Sequence, residues 1–198
     1  MPISATDVKN LRDQTGAGMM DAKNALVEAD GNTEKAIELL RKKGMASAAK
    51  RADREARAGI IAEYVHGGRI GVLVEINCET DFVALTEDFK SFAHDVAMHI
   101  AAANPEYLNP ESVPANLVEK ERELFLAEIE GQNKPAEIVD KIVTGKLEKY
   151  YETICLTKQA FVKDPDKTIE ALTTDIIAKV GENIVIRRYS RMELGSSN

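Results

Sequence analysis

Residues 70–92, IGVLVEINCETDFVALTEDFKSF, decide the fold of this chain. Residues 70–76 are mostly β-branched or aliphatic, which predicts a strand buried on both faces. From residue 85 onward, apolar residues recur every three or four positions, which is the spacing of one helix face. These positions are Leu85, Phe89, Phe92, Val96 and Ile100. The stretch predicts a strand that leads into a helix through residues 77–83, a segment we call the knuckle.

The knuckle carries an aromatic residue, Phe82, beside the carboxylate of Asp81. A connection of this length is ordinarily polar and solvated, and loops held by rigid elements are where contact residues concentrate. Two interpretations of Phe82 stay open on pattern alone. Either the ring packs inside the start of the helix as a core residue, or it is exposed and anchors a partner, because aromatic residues dominate interface energetics.

The composition is that of an ordinary globular protein. The chain has 198 residues, 44% of them hydrophobic and 30% charged, with a net charge of -7, which suffices for one sizeable core or two small ones. An acidic chain without a dense basic tract is not expected to bind nucleic acid directly. Because we find no long apolar run and no signal region, we expect no membrane contact and a cytoplasmic location. Cys78 and Cys155 lack CxxC spacing and are expected to be reduced thiols.

Residues 1–44 are predicted to form a module of three helices. Ser4 and Asp7 fit a capping box, residues 16–18 (GAG) break the first helix, Asn32 caps the third, and Gly44 ends it in a left-handed conformation. The second helix, residues 19–29, is predicted to turn Met20, Ala25, Leu26 and Ala29 inward. A module this small has a marginal core. Met19 and Met20 therefore either complete that core or contact a partner, since methionine adapts to irregular surfaces.

The rest of the chain is predicted to form a linker and a core domain. Residues 45–58, MASAAKRADREARA, favour a solvated helical linker, and residues 59–195 are assigned to the core. Segments 60–66 and 70–77 flank a glycine turn and predict a β-hairpin, and segment 183–194 alternates like a third strand. The predicted fold class is α+β, with a three-stranded antiparallel sheet covered by helices.

Helices are predicted between and after these strands from their apolar spacing and their glycine or proline boundaries. The predicted segments are 115–130, 135–144, 146–156 and a last helix that residues 164–166 (DPD) open and Gly181 closes.

No residue pattern predicts a catalytic site, a cofactor or a metal. His94 and His99 are five residues apart, so on a helix they point roughly 140° away from each other and do not share a metal. A thiol nucleophile built from Cys78 and the neighbouring Glu79 and Asp81 has no supporting spacing. No glycine-rich phosphate loop is present in the sequence. The residues thus offer no support for covalent chemistry.

Three blocks give the sequence a family resemblance. They are LRDQTGAGMMDAK at 11–23, NCETDFVA at 77–84, and GENI at 181–184 followed by Arg187 and Arg188. With these blocks the chain resembles the elongation factor Ts family, the bacterial guanine-nucleotide exchange factors for the GTPase elongation factor Tu. The resemblance implies that the N-terminal module is ubiquitin-associated-like and docks on the GTPase domain, and that the knuckle intrudes near that domain's magnesium site. The resemblance also implies a protein that is not an enzyme. The implied contact residues are Arg12, Met19, Met20, Lys23, Thr80, Asp81, Phe82 and Val83.

The length of the chain adds one expectation. Long family members have two related core halves, whereas this chain has room for about one, so it resembles the short form. A second copy is the nearest substitute for the missing half, and we predict a homodimer. Its predicted surface combines the final strand with an apolar patch of Tyr150, Tyr151 and Ile154. The alternative to the dimer surface is that these residues close the chain's own core.

Two alternatives to the exchange factor stay open. In these, the protein is either an adaptor of ubiquitin-associated type without exchange activity, or a cysteine hydrolase.

Overall fold

The computed structural model describes residues 3–129 and 135–196. The helices are α1 (Ala5–Thr15), α2 (Met19–Glu28), α3 (Thr33–Ala49), α4 (Asp81–Ala84), α5 (Glu87–Ala103), α6 (Ala115–Ile129), α7 (Ala136–Ile154) and α8 (Ile169–Val180). The strands are β1 (Ala58–His66), β2 (Ile70–Cys78), β3 (Ala160–Phe161), β4 (Asp164–Thr168) and β5 (Val185–Glu193). The predicted α+β class is confirmed, with an antiparallel sheet in the order β1-β2-β5 and helices packed on it.

The chain divides into two compact units that do not follow sequence order. The first comprises Met1–Glu63, Leu73–Asp95 and Ala171–Ser190, and the second comprises Tyr64–Val72, Val96–Glu170 and Arg191–Asn198. The N-terminal module, the knuckle and most of α8 therefore belong to one unit.

Side-chain caps mark the starts of the first and third helices of the N-terminal module. The Asp7 backbone N–H donates to Ser4 Oγ at 3.1 Å, and the Ser4 backbone N–H donates to Asp7 Oδ2 at 3.0 Å, which confirms the capping box. Asn32 Oδ1 accepts from the Lys35 backbone N–H at 3.0 Å and caps α3 as predicted. The buried core of this module consists of Val8, Leu11, Ala22, Ala25, Leu26, Ala29 and Ala36. Met20 is absent from that core because it is 63% exposed, so its predicted inward orientation is wrong.

Helix α3 continues past the predicted stop at Gly44 and ends at Ala49. Gly44 is a buried interior residue of the helix, where a methyl group would lie 3.6 Å from the Ala178 side chain of α8. A glycine in a helix costs only about 1 kcal/mol, which packing of this kind outweighs. The division into residues 1–44, 45–58 and 59–195 stays a prediction, but its first boundary falls inside α3.

The sheet has one buried and one exposed face. Val72 and Val74 are buried, whereas Leu73 between them is 49% exposed, so the prediction of a strand buried on both faces is wrong. This alternation is ordinary for an antiparallel sheet with helices on one side. Gly59 allows β1 to approach β2 closely, because a Cβ atom there would clash with the Ile76 carbonyl oxygen.

The helix after the knuckle carries most of the predicted core face. Phe89 and Phe92 are buried in the first unit, and Val96 and Ile100 are buried in the second. Leu85 is 68% exposed, because α4 has ended there and α5 begins only at Glu87. Its predicted place on the core face is wrong.

The second unit corrects three predictions. Helix α7 runs unbroken through Gly145 where two helices were predicted. The segment that begins Asp164-Pro165-Asp166 is strand β4, which pairs with β3, rather than a helix start. Ile154 is 7% exposed and packs with Val113 and Cys155, and both tyrosines of the predicted dimer patch are partly buried against them. The patch therefore belongs to the chain's own core. The predicted end of α6 at Glu130 lies outside the described residues.

His99 is a fully buried polar residue of the second unit. The Val162 backbone N–H donates to His99 Nδ1 at 3.3 Å, so the neutral ring carries its proton on Nε2, which lies 3.1 Å from Gln159 Oε1. Burial lowers the pKa of His99 from its usual value of 6.5. It is a core residue whose two ring nitrogens both have hydrogen-bond partners.

Candidate functional site

The knuckle presents Phe82 to solvent. Strand β2 ends at Cys78, Thr80 caps the four-residue helix α4, and Phe82 is the second residue of that helix. Its side chain is 84% exposed, the largest exposed fraction among the large hydrophobic residues that the structure describes. Asp81 is also exposed, and Val83 is half-buried. Of the two interpretations left open by the sequence, the structure supports the exposed ring and not the core residue.

Glu182 holds the polar side of the knuckle. Its Oε2 accepts the backbone N–H groups of Glu79 at 3.1 Å and Thr80 at 3.0 Å, and its Oε1 accepts the Thr80 hydroxyl at 2.6 Å. Three donors thus converge on one carboxylate, and hydrogen bonds to a charged acceptor are the stronger kind. They fix the backbone two residues before Phe82.

The Glu79 carboxylate makes the reciprocal hydrogen bond. Glu79 Oε1 accepts the Asn183 backbone N–H at 2.7 Å, so each of the two glutamates binds the backbone beside the other. We call the set Glu79, Thr80, Glu182 and Asn183 the clasp. The Asn183 side-chain amide also donates to the carbonyls of Arg54 at 2.7 Å and Ala52 at 3.3 Å. The clasp therefore joins the knuckle to the segment that follows α3.

Two arginines of that segment add further bonds. Arg51 Nε donates to the Gly181 carbonyl at 2.9 Å, and Arg54 lies 3.5 Å from the Glu79 carboxylate. Gly181 has a left-handed conformation, with φ of +78°, and so ends α8 immediately before the clasp. From the sequence, residues 181–184 are recognisable only as part of a family block. Its structural role was missed because the two halves of the clasp are 102 residues apart in the chain.

Cys78 closes the inner side of the knuckle. Its thiol is buried and donates to the Thr80 carbonyl at 3.0 Å. Burial, followed by the negative charge of Glu182, raises the pKa of Cys78. A buried thiol that is held protonated is a poor nucleophile, so this geometry favours a structural role over the cysteine hydrolase alternative.

The predicted contact residues of the N-terminal module lie around the turn between α1 and α2. Met19 and Met20 are 47% and 63% exposed, and Arg12 and Lys23 are also exposed. Gly16 makes the turn with φ of +69°, and a methyl group there would lie 3.8 Å from Lys179 near the end of α8. The module turn and the clasp therefore both border the last turn of α8, within the same compact unit.

The described residues hold no group of three or more His, Cys, Asp or Glu side chains placed to bind a metal ion. Within the same ranges, 3–129 and 135–196, no helix is long and apolar enough to cross a membrane.

The candidate site consists of exposed apolar side chains, one on the knuckle held by the clasp and two on the helical module, an arrangement typical of protein contact surfaces. Sequence comparisons identify the family. The profile of the family described as Elongation factor TS matches residues 7–175. The chain belongs to the elongation factor Ts family, and its role is that of a translation elongation factor.

Curated relatives match nearly the whole chain. Elongation factor Ts from Syntrophus aciditrophicus is 56% identical over 196 residues, covering 98% of each protein. The protein of the same name from Carboxydothermus hydrogenoformans is 59% identical over 194 residues, covering 98% of this chain and 89% of the relative. The corresponding protein from Caldanaerobacter subterraneus is 56% identical, covering 98% of this chain and 97% of the relative. These relatives are thus of about the same length as this chain.

Proposed function

We propose that the chain is a guanine-nucleotide exchange factor that binds elongation factor Tu and promotes release of its GDP. The observation that carries the proposal is the exposed ring of Phe82 on a knuckle fixed by the clasp. Because the ring is already exposed, its burial in a partner removes no packing from the folded protein. A backbone held by the clasp avoids the entropy cost of ordering a loop on binding.

The ring acts as a wedge in this proposal. A GTPase holds GDP through a phosphate-binding loop and a Mg²⁺ ion that neutralises phosphate charge, so displacing the elements around the metal removes a large part of the affinity. Phe82 is the group placed to enter the partner, and Asp81 and Val83 flank it. The factor itself performs no covalent chemistry in this scheme and requires no cofactor or metal of its own.

Thermodynamic linkage makes such a factor a catalyst of exchange. If binding of the factor lowers the affinity of the GTPase for a nucleotide by some ratio, binding of that nucleotide lowers the affinity of the GTPase for the factor by the same ratio. Incoming GTP therefore expels the factor, and the factor is free to act on another GTPase molecule.

The N-terminal module supplies affinity. Met19 and Met20 offer an adaptable apolar surface, and Arg12 and Lys23 add positive charge at its edge. Because the module and the knuckle lie in one compact unit, the first contact raises the effective concentration of the second.

The alternative is an adaptor that binds through the module without altering nucleotide affinity. Release of a fluorescent GDP analogue from elongation factor Tu, with and without the factor, separates the two. Acceleration of at least tenfold at saturating factor supports the exchange factor. Complex formation with an unchanged release rate supports the adaptor.

We keep the homodimer, the cytoplasmic location and the absence of direct nucleic-acid contact as parts of the proposal. Strand β5 lies at an edge of the sheet, and Met192 and Leu194 at its end are 62% and 67% exposed, which supports an interface there rather than at the tyrosine cluster. Light scattering at micromolar concentration tests the dimer. A mass of one chain, with full exchange activity, would exclude it as the working species.

A further inference from the structure

We propose that Glu182 is the positioning residue that aims Phe82 at the partner. The inference rests on the proposed function of the knuckle but concerns a residue outside it, on the segment between α8 and β5. Glu182 accepts three hydrogen bonds from the two residues before α4: those of both backbone N–H groups and of the Thr80 hydroxyl, at 2.6 to 3.1 Å.

Helix α4 needs such an outside support. It has four residues, which is one turn, and one turn of helix is unstable by itself in water. Its own cap is long, since the Val83 backbone N–H lies 3.5 Å from Thr80 Oγ1. The direction of Phe82 is therefore set largely by where Glu182 holds residues 79 and 80.

The charge of the carboxylate strengthens the contact. All three groups that face Glu182 are donors, and an ionised carboxylate offers only acceptors. In the variant Glu182→Gln the amide oxygen can accept the two backbone N–H groups and the NH₂ group can donate to the Thr80 hydroxyl, so the geometry is kept but the charge on the acceptor is lost. The variant thus weakens the contact while the packing around it is kept, and residues 79 and 80 become freer to shift.

The experiment is a double-mutant cycle on stimulated GDP release at saturating factor. We expect Phe82→Ala to slow release by about 30-fold and Glu182→Gln to slow it by about tenfold. If Glu182 acts through the ring, the double variant releases GDP no more slowly than Phe82→Ala alone, because there is no ring left to aim. Independent roles would multiply to about 300-fold and would overturn the proposal.

Cys78 gives a second readout that does not depend on activity. Its thiol donates to the Thr80 carbonyl beneath the clasp, whereas the other buried thiol, Cys155, lies in the second unit. Mass-spectrometric labelling with a thiol reagent should show Cys78 reacting several-fold faster in Glu182→Gln than in the unaltered protein, with Cys155 unchanged. Equal Cys78 rates in the two proteins would contradict loosening of the knuckle.

A matched control is available at Glu170, whose carboxylate lies 2.9 Å from Lys158 in the second unit. Glu170→Gln removes the same charge from a surface ion pair, and both release and Cys78 labelling should match the unaltered protein. If both cysteines of Glu182→Gln react quickly, that variant has unfolded. Glu182→Asp, which keeps the carboxylate on a shorter side chain, then replaces it in the double-mutant cycle and must give the same non-additivity with Phe82→Ala.

The outcomes separate this inference from the proposed function. The exchange mechanism fails if the unaltered protein does not accelerate GDP release, or if Phe82→Ala accelerates it as much as the unaltered protein does. In either case, Cys78 labelling still tests the clasp. If Phe82→Ala is slow but Glu182→Gln is not, the mechanism stands and the positioning role is wrong.

Discussion

Replacement of Phe82 by alanine tests the wedge most directly. The ring keeps 84% of its surface in solvent, so its removal takes little from the folded protein, and the stability should change by less than about 0.5 kcal/mol. A phenylalanine presents roughly 200 Å² of surface, and burial of the exposed part at about 25 cal/mol per Å² gives an upper limit of about 4 kcal/mol in the complex.

The expected loss follows from that limit. Truncation of a central aromatic anchor typically costs about 2 to 4 kcal/mol, and 1.4 kcal/mol corresponds to about tenfold. Stimulated GDP release should therefore fall by about 30-fold or more.

The assay is stopped-flow release of a fluorescent GDP analogue from elongation factor Tu, with thermal melting of each variant as the test of folding. Leu124→Ala is the matched control, because Leu124 is also an exposed apolar residue, at 58%, but lies on α6 in the second unit. A folded Phe82→Ala protein with the release rate of the unaltered factor would refute the wedge.

Four further predictions follow from other parts of the structure. Asp81→Ala should slow release by less than about fivefold in the same assay, because it removes polar contacts but leaves the ring; a loss as large as that of Phe82→Ala would contradict this. A chain lacking residues 1–49 should stay folded in thermal melts but bind the GTPase about a hundredfold more weakly by titration, and unfolding would count against a separate module. Gly59→Ala should lower the free energy of unfolding by more than about 2 kcal/mol in urea titration, since φ there is +142° and Ile76 blocks the methyl group. The pKa of His99 is lower in the folded than in the unfolded chain, so the unfolded chain binds more protons. The free energy of unfolding should therefore be retained above pH 6.5 and fall as the pH drops below it. Urea unfolding at several pH values measures this, and His99→Gln should flatten the pH dependence.

The elements that could be predicted are those whose signals lie close together in the chain. The Ser4 capping box spans four residues, and the hairpin of β1 and β2 is marked by its own turn. The errors concern residues whose structure depends on distant packing. Gly44 and Gly145 suggest helix ends, but a glycine costs less than the packing of a long helix contributes. Pro165 resembles the start of a helix, yet a short edge strand also accepts proline.

The candidate site divides in the same way. The sequence marked Phe82 as unusual but left its exposure open, since exposure depends on what the neighbouring elements cover. Glu182 could not be assigned a role at all, because its partners Glu79 and Thr80 are more than 100 residues away and no periodic pattern connects them.

The long separation within the clasp also has a consequence for folding. Bonds between Thr80 and Glu182 close a chain loop of 102 residues, and closing such a loop costs about 4 kcal/mol of chain entropy beyond a constant term. A few hydrogen bonds do not meet that cost alone, so pairing of β5 with β2 has to bring the two segments together first. We therefore expect the knuckle to acquire its shape late, so that a partly folded chain does not yet present the ring. In refolding experiments, the ability to bind the GTPase should return no earlier than the native sheet.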